Sequence, residues 1–163
     1  MIVDFNKIPK WGKLWVFPSS RKFYPQEVAE LKQSVEDFLN NWTNEGQSIN
    51  CAYKLVYDRF IIIAADDSEI NLSLKAHDKL TGFILELESK YEIILLDKIN
   101  VCYKQGEFVQ YKDLKEFKKM IKNKGVSPKT IVFNNLITSV EEFKNDWEIN
   151  IMNSWLGRML QKK

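Results

Sequence analysis

Along residues 14–103 the spacing of apolar residues switches between periods near two and near 3.6, and the order it spells is strand, helix, strand, strand, helix, strand. The first strand covers residues 14–17 and is closed by Pro18, Ser19 and Ser20. Pro25 opens the first helix, where its missing N–H costs nothing. Val28, Leu31, Val35, Phe38, Leu39 and Trp42 then recur at intervals of three and four along one face. Gly46 supplies the stop. The second and third strands, 49–57 and 60–65, are joined by Asp58-Arg59 and form a hairpin. Strand two alternates, with Cys51, Tyr53, Leu55 and Tyr57 on one face. Strand three is apolar throughout, the pattern of a strand buried on both sides. The second helix runs from about 77 to 91 on Leu80, Phe83, Ile84, Leu87 and Tyr91, and a fourth strand covers 100–103.

This order implies an α+β fold, a ferredoxin-like βαββαβ sandwich in which two helices cover one face of an antiparallel sheet. Strands one and three are expected at its centre and strand two at an edge. The other face of strand three also needs a cover, either the carboxy-terminal third of the chain or another subunit. That third carries a turn at 104–107, a strand at 108–111 and a helix opened by the capping box Asp113-x-x-Glu116. A short strand at 130–133 and a helix opened by Ser139-x-x-Glu142 follow. Met152, Trp155, Leu156 and Met159 close the chain as an apolar helical stripe that something must cover. Residues 1–103 therefore read as the ferredoxin-like core, and 104–163 as a β-α-β-α module packed on it.

Composition sharpens this picture in a few places. The 163 residues are 45% apolar and 13% aromatic, enough for a packed core without disulfide staples. No apolar run is long enough to cross a bilayer and the first residues do not resemble a secretory signal, so a cytoplasmic protein with no membrane association is expected. Cys51 and Cys102 lie in two predicted strands without metal-ligand or redox spacing, and are expected to be reduced core residues. The net charge of +2 does not point to a nucleic acid. Lys115, Lys118, Lys119 and Lys122 line one side of the third helix with no interleaved Arg or aromatic, the pattern of a solvated face.

The chemistry-bearing residues are sparse. There is no phosphate-binding glycine loop, so neither nucleotide hydrolysis nor any cofactor is expected. One histidine and no serine elbow exclude the usual multi-His centres and hydrolase triads. The best polar cluster is Asp66-Asp67-Ser68-Glu69 at the end of strand three, followed by Lys75, His77 and Asp78. Carboxylates at a strand end, near a helix amino terminus, are how many hydrolases and metal sites are built. The same residues also serve simply to end a strand and complement a helix dipole. No divalent metal is expected, because adjacent strand carboxylates point in opposite directions. Asn134-Asn135, after a strand, present amides to a ligand or make a local turn.

Trp15, Phe38-x-x-x-Trp42, Gly46-Gln47, Arg59-Phe60-Ile61, Val132-Phe133-Asn134-Asn135-Leu136 and Ser154-Trp155-Leu156 carry a resemblance over nearly the whole chain. The chain resembles a family of small, functionally uncharacterised Bacteroidetes proteins often labelled, in apparent error, as ABC transporter ATPases. Many relatives carry Gly-Cys-Ser-Ile-Asp between the third strand and second helix. Here Leu74-Lys75-Ala76-His77-Asp78 stands in that place, so only the Asp is retained. If that motif is catalytic in the family, the resemblance implies a lost or altered activity. Leu114-x-x-Phe117, Gly125, Pro128-x-Thr130 and Val132 are similar to part of bacterial GYF-like modules, without the aromatic cluster those use for proline-rich peptides.

Two functions follow as expectations. The first is a cytoplasmic, non-catalytic binding or scaffold protein with a protein partner or a second copy of itself, for which Trp155, Leu156, Met159, Asn134 and Asn135 are the contact candidates. The alternative is an enzyme of unknown reaction that uses Asp66, Asp67, Lys75, His77 and Asp78.

Overall fold

The computed structural model describes residues 1–161. It is a mixed α+β structure in which two antiparallel sheets lie between two helical layers. The first sheet is built from β1 (Lys13–Pro18), β4 (Cys51–Val56) and β5 (Phe60–Ala65) in the order β1-β5-β4. Helices α1 (Pro25–Asn41) and α2 (Leu74–Tyr91) cover one of its faces. Between α1 and β4 a small hairpin, β2 (Thr43–Asn44) and β3 (Gln47–Ser48), turns at Glu45 and Gly46, which adopt φ of 51° and 82°. Gly46 thus serves that turn and not the helix, which stops at Asn41.

The second sheet has the order β7-β6-β8-β9, from β6 (Val101–Gln105), β7 (Phe108–Lys112), β8 (Ile131–Phe133) and β9 (Glu148–Asn150). It covers the other face of the first sheet, with α4 (Val140–Asp146) closing the side. Its own outer face is covered by α3 (Leu114–Lys122) and by the end of the chain through α5 (Gly157–Gln161).

Strand β5 explains the layering. Ile61, Ile63 and Ala65 face α1 and α2, while Phe60, Ile62 and Ala64 face the second sheet, and none of the six is more than 1% exposed. The uniformly apolar strand is central, as its pattern implies, and its second cover comes from the same chain.

The ferredoxin-like strand order does not appear. In that order the strand at 101–105 would pair beside β1; instead β1 is an edge strand, and β6 begins the second sheet. Two local features divert the chain. After α2 the left-handed Glu92 (φ 53°) turns it, and Ile93 and Leu95 are buried against the helices. The backbone N–H of Ser20 donates to the Ile94 carbonyl at 3.0 Å, tying this connection to the end of β1. The place beside β1 is taken by residues 138–140. Leu14 N–H donates to the Thr138 carbonyl at 3.0 Å, and Val140 N–H donates to the Gly12 carbonyl at 3.1 Å. The division expected between residues 103 and 104 therefore falls inside β6, a strand of the second sheet.

The helix ends follow local chemistry. Ser73 Oγ accepts from Ala76 N–H at 3.1 Å and starts α2 three residues earlier than its apolar stripe implies, placing Lys75, His77 and Asp78 within the helix. Asp113 and Ser139 cap α3 and α4 as expected. Glu27 in the first turn of α1 accepts from Tyr24 N–H and holds Arg21 through two contacts of 2.8 and 3.0 Å. Arg21 Nη2 also donates to the Tyr91 carbonyl at 2.9 Å, so one guanidinium joins the start of α1 to the end of α2.

Candidate functional site

The five candidate residues after β5 do not converge. Asp66 lies in a shallow hollow with Ser48, Asn50 and Glu69. Its Oδ1 accepts from the N–H and the hydroxyl of Ser68 at 3.0 and 2.6 Å, a local turn. Lys75 lines a separate hollow against the small hairpin, with Glu45 and Lys79. Asp78 is exposed on α2. Only Asp67 and His77 share a cleft. Among the described residues no group of three or more His, Cys, Asp or Glu side chains is placed to hold a metal ion.

That shared cleft has a volume of about 690 Å³. Its walls come from four places in the chain: Trp11, Lys13 and Trp15 at the start of β1, Asp67 and His77 around the start of α2, Lys98 before β6, and the segment 136–139 after β8. Gly12 makes the first wall possible. A Cβ there would stand 2.6 Å from Ile8 Cγ2 and 3.0 Å from the Ala65 carbonyl, so only glycine lets the backbone pass while Trp11 remains 62% exposed. Trp15 stands edge-on to His77 at 5.6 Å and to Trp42 at 5.9 Å between centroids. Trp42 Nε1 in turn donates to the Ala76 carbonyl at 2.9 Å, fixing the first turn of α2 against the indole pair.

Lys98 supplies the cleft's half-buried charge. Its Nζ lies 5.3 Å from the centroid of Phe17 and within 4 Å of no carboxylate among the described residues. Burial holds its pKa below the ordinary lysine value. Two indoles, an imidazole and two ammonium groups against one carboxylate make a surface suited to holding an aromatic or anionic group by stacking and charge. The cleft's lining includes no cysteine, one carboxylate, Asp67, and one imidazole, His77. Asp67 and His77 were legible as polar residues beside a strand end. Trp11 and Lys98 were not, although a tryptophan between lysines in Lys10-Trp11-Gly12-Lys13 is a signal of an exposed aromatic.

The remaining candidates divide between interior and surface. Asn135 is 3% exposed and holds the layer between the sheets together: its Oδ1 accepts from Trp147 Nε1 at 3.0 Å, and its Nδ2 donates to Cys102 Sγ at 3.6 Å. It is an internal tie, with no amide offered outward. Asn134 makes the local turn, accepting from Leu136 N–H at 3.2 Å. The carboxy-terminal stripe is broken by a bend at Ser154 and a turn at Trp155 and Leu156, so Leu156 is buried and Met152 and Met159 half-buried beneath α3, whereas Trp155 faces outward. The stripe is covered by its own chain, and of its residues Trp155 alone is exposed.

Both cysteines are free and buried on opposite faces of the first sheet, Cys51 among the helices and Cys102 between the sheets. Burial pushes the Cys102 thiol up to about 12, which keeps it protonated and unreactive. No helix among the described residues is long and apolar enough to cross a membrane. No family model, curated protein or solved structure matches the chain.

Proposed function

We propose that this is a non-catalytic binding or scaffold protein of the cytoplasm that engages a protein partner through the cleft at Trp11, Trp15 and Lys98. The observation that carries the reading is the dispersal of the candidate catalytic side chains. Catalysis needs groups within hydrogen-bond reach of a common point, and Asp66, Asp67 and Lys75 line three different hollows. The cleft that remains combines an exposed tryptophan, a residue type in which binding energy concentrates at interfaces, with a half-buried cation that pairs with no carboxylate among the described residues. Two buried free thiols suit a reducing compartment. Membership of the Bacteroidetes family, and the similarity to GYF-like modules, belong to the same proposal and rest on the motif residues alone.

The enzyme reading retains one observation, the shared cleft of Asp67 and His77. One comparison separates the two. Affinity purification of the wild type and of the Trp11→Ala/Lys98→Met double variant, quantified by mass spectrometry and repeated with recombinant partner, should show partners that the cleft variant alone loses. A Trp155→Ala control should retain them. Turnover in a screen of hydrolase and transferase substrates, abolished by Asp67→Asn or His77→Gln, would replace the binding reading with the enzymatic one.

A further inference from the structure

At the other end of β5 the fold buries a cation that it does not neutralise. Arg59, the last residue of the β4–β5 turn, is 9% exposed and joins no ion pair among the described residues. A lysine in that position can shed its proton; a guanidinium cannot, so its charge persists. One N–H has a clear partner: Nη1 donates to the Ser19 carbonyl at 3.1 Å. The others make no hydrogen bond to a described residue. Yet no buried side-chain nitrogen among the described residues lacks a partner, so these N–H groups reach an opening.

Arg59 is one of the residues that line a cavity of about 180 Å³ between the β4–β5 and β6–β7 turns, while Cys102 and Tyr111 of the second sheet stand near its guanidinium. Tyr57, Phe108 and Val109 give the cavity an apolar wall, and the exposed side chains of Lys22, Asp58 and Glu107 stand around it. The Tyr57 hydroxyl donates to Glu148, which also pairs with Lys104, so that part of the wall is held in place.

We propose that this cavity binds a small zwitterionic carboxylate, an α-amino acid with an apolar side chain. The volume is well below the roughly 300–1,000 Å³ of pockets for drug-sized ligands, which excludes a nucleotide or a large cofactor. The formal charges around it cancel, Arg59 and Lys22 against Asp58 and Glu107, and only the buried one is necessarily unscreened. A carboxylate therefore goes inward to the guanidinium fork, the geometry that Arg matches with two parallel N–H donors. The ammonium faces the exposed carboxylates, and the side chain lies along Phe108, which is 69% exposed and otherwise without cover. A dianion such as phosphate is disfavoured by the same two carboxylates. Burial also holds the Arg59 pKa below its usual value, a penalty that a bound carboxylate would offset.

The test follows the Arg59 Nε–Hε NMR resonance of the full chain during titration with L-leucine, leucinamide, N-acetyl-leucine and inorganic phosphate. L-leucine should shift it saturably, leucinamide should not, and N-acetyl-leucine should bind at least about tenfold more weakly. The Asp58→Asn/Glu107→Gln double variant, altered only at exposed positions, should fold as wild type and weaken leucine binding while leaving Arg59 intact. Arg59→Lys should abolish saturable binding, followed there through the Phe108 ring resonances. An equal response to leucinamide, tighter binding of phosphate than of leucine, or no saturable shift up to the solubility limit of leucine would each overturn the proposal.

Discussion

Replacing Asn135 by alanine should destabilise the protein by roughly 2–4 kcal/mol, although the change removes only one small polar side chain. The magnitude comes from what the replacement leaves behind. Trp147 is 5% exposed, wedged between Phe60, Phe133 and Phe143 at centroid distances of 4.8–4.9 Å, and has Asn135 Oδ1 as its acceptor. With that oxygen gone the indole N–H is buried and unpaired, which costs roughly 1–3 kcal/mol. The space vacated between the sheets adds about 1 kcal/mol. Trp147→Phe removes the donor itself and leaves a smaller ring in the same site, at a cost of about 1–3 kcal/mol. In the double variant Asn135→Ala no longer orphans a donor, so the two changes should be sub-additive by about 1–2 kcal/mol. Urea denaturation of the four proteins, compared at a common m-value, measures the coupling. Additivity within about 0.5 kcal/mol would refute the argument. So would an Asn135→Ala protein as stable as wild type, the behaviour of an outward-facing contact residue.

Leu156→Ala should lose about 2–5 kcal/mol, as a buried leucine does, while Trp155→Ala, on the exposed side of the turn, stays within about 0.5 kcal/mol; thermal melts of both compare them directly. Because the Cys102 thiol is pushed up to about 12 in the folded protein and is about 8.5 in an unfolded chain, the folded state holds the extra proton between those values. Stability should then fall as pH rises above about 8.5, and Cys102→Ala should flatten the decline in urea midpoints measured from neutral to alkaline pH. Glu27 has the opposite sign: Arg21, hydrogen-bonded to it, holds its pKa below the usual carboxylate value. Its contribution is present above the unfolded carboxylate range and lost as pH falls through the folded value. Acid unfolding of Glu27→Gln should accordingly show a weaker pH dependence than wild type.

The parts of the fold that were legible are those that short-range patterns encode. The apolar run 60–65 identifies a strand buried on both faces, the stripes of α1 and α2 identify helices with one covered side, and Asp113 and Ser139 mark helix starts. What covers β5 was not legible, because period and spacing describe a strand and not its neighbour. The fourth strand, with Val101, Cys102 and Tyr103 all buried, has a pattern that fits either sheet. The bonds that send it to the second one, Ser20 to Ile94 and Leu14 to Thr138, join positions far apart in sequence and pass through backbone atoms that every residue has. The same holds for function. Asp66 and Asp67 look like a pair in sequence, but just beyond the end of β5 they line separate hollows. Trp155 looks like the anchor of its stripe, but a single turn puts Leu156 inside in its place. Arg59 and Lys98 resemble ordinary surface cations until the packing shows that neither has a carboxylate partner among the described residues.

The closing of β1 by residues 138–140 bears on how the chain is made. Synthesis proceeds from the amino end, so β1, β4 and β5 emerge and pair long before Thr138 leaves the ribosome. Until then β1 presents unpaired backbone groups, and the face formed by Val16, Phe60 and Ile62 has nothing over it, an edge and a surface that invite pairing with other chains. Folding of the first sheet must therefore wait until residues 138–140 have been made, and a nascent chain halted near residue 100 should be a client for chaperones and not a free-standing domain.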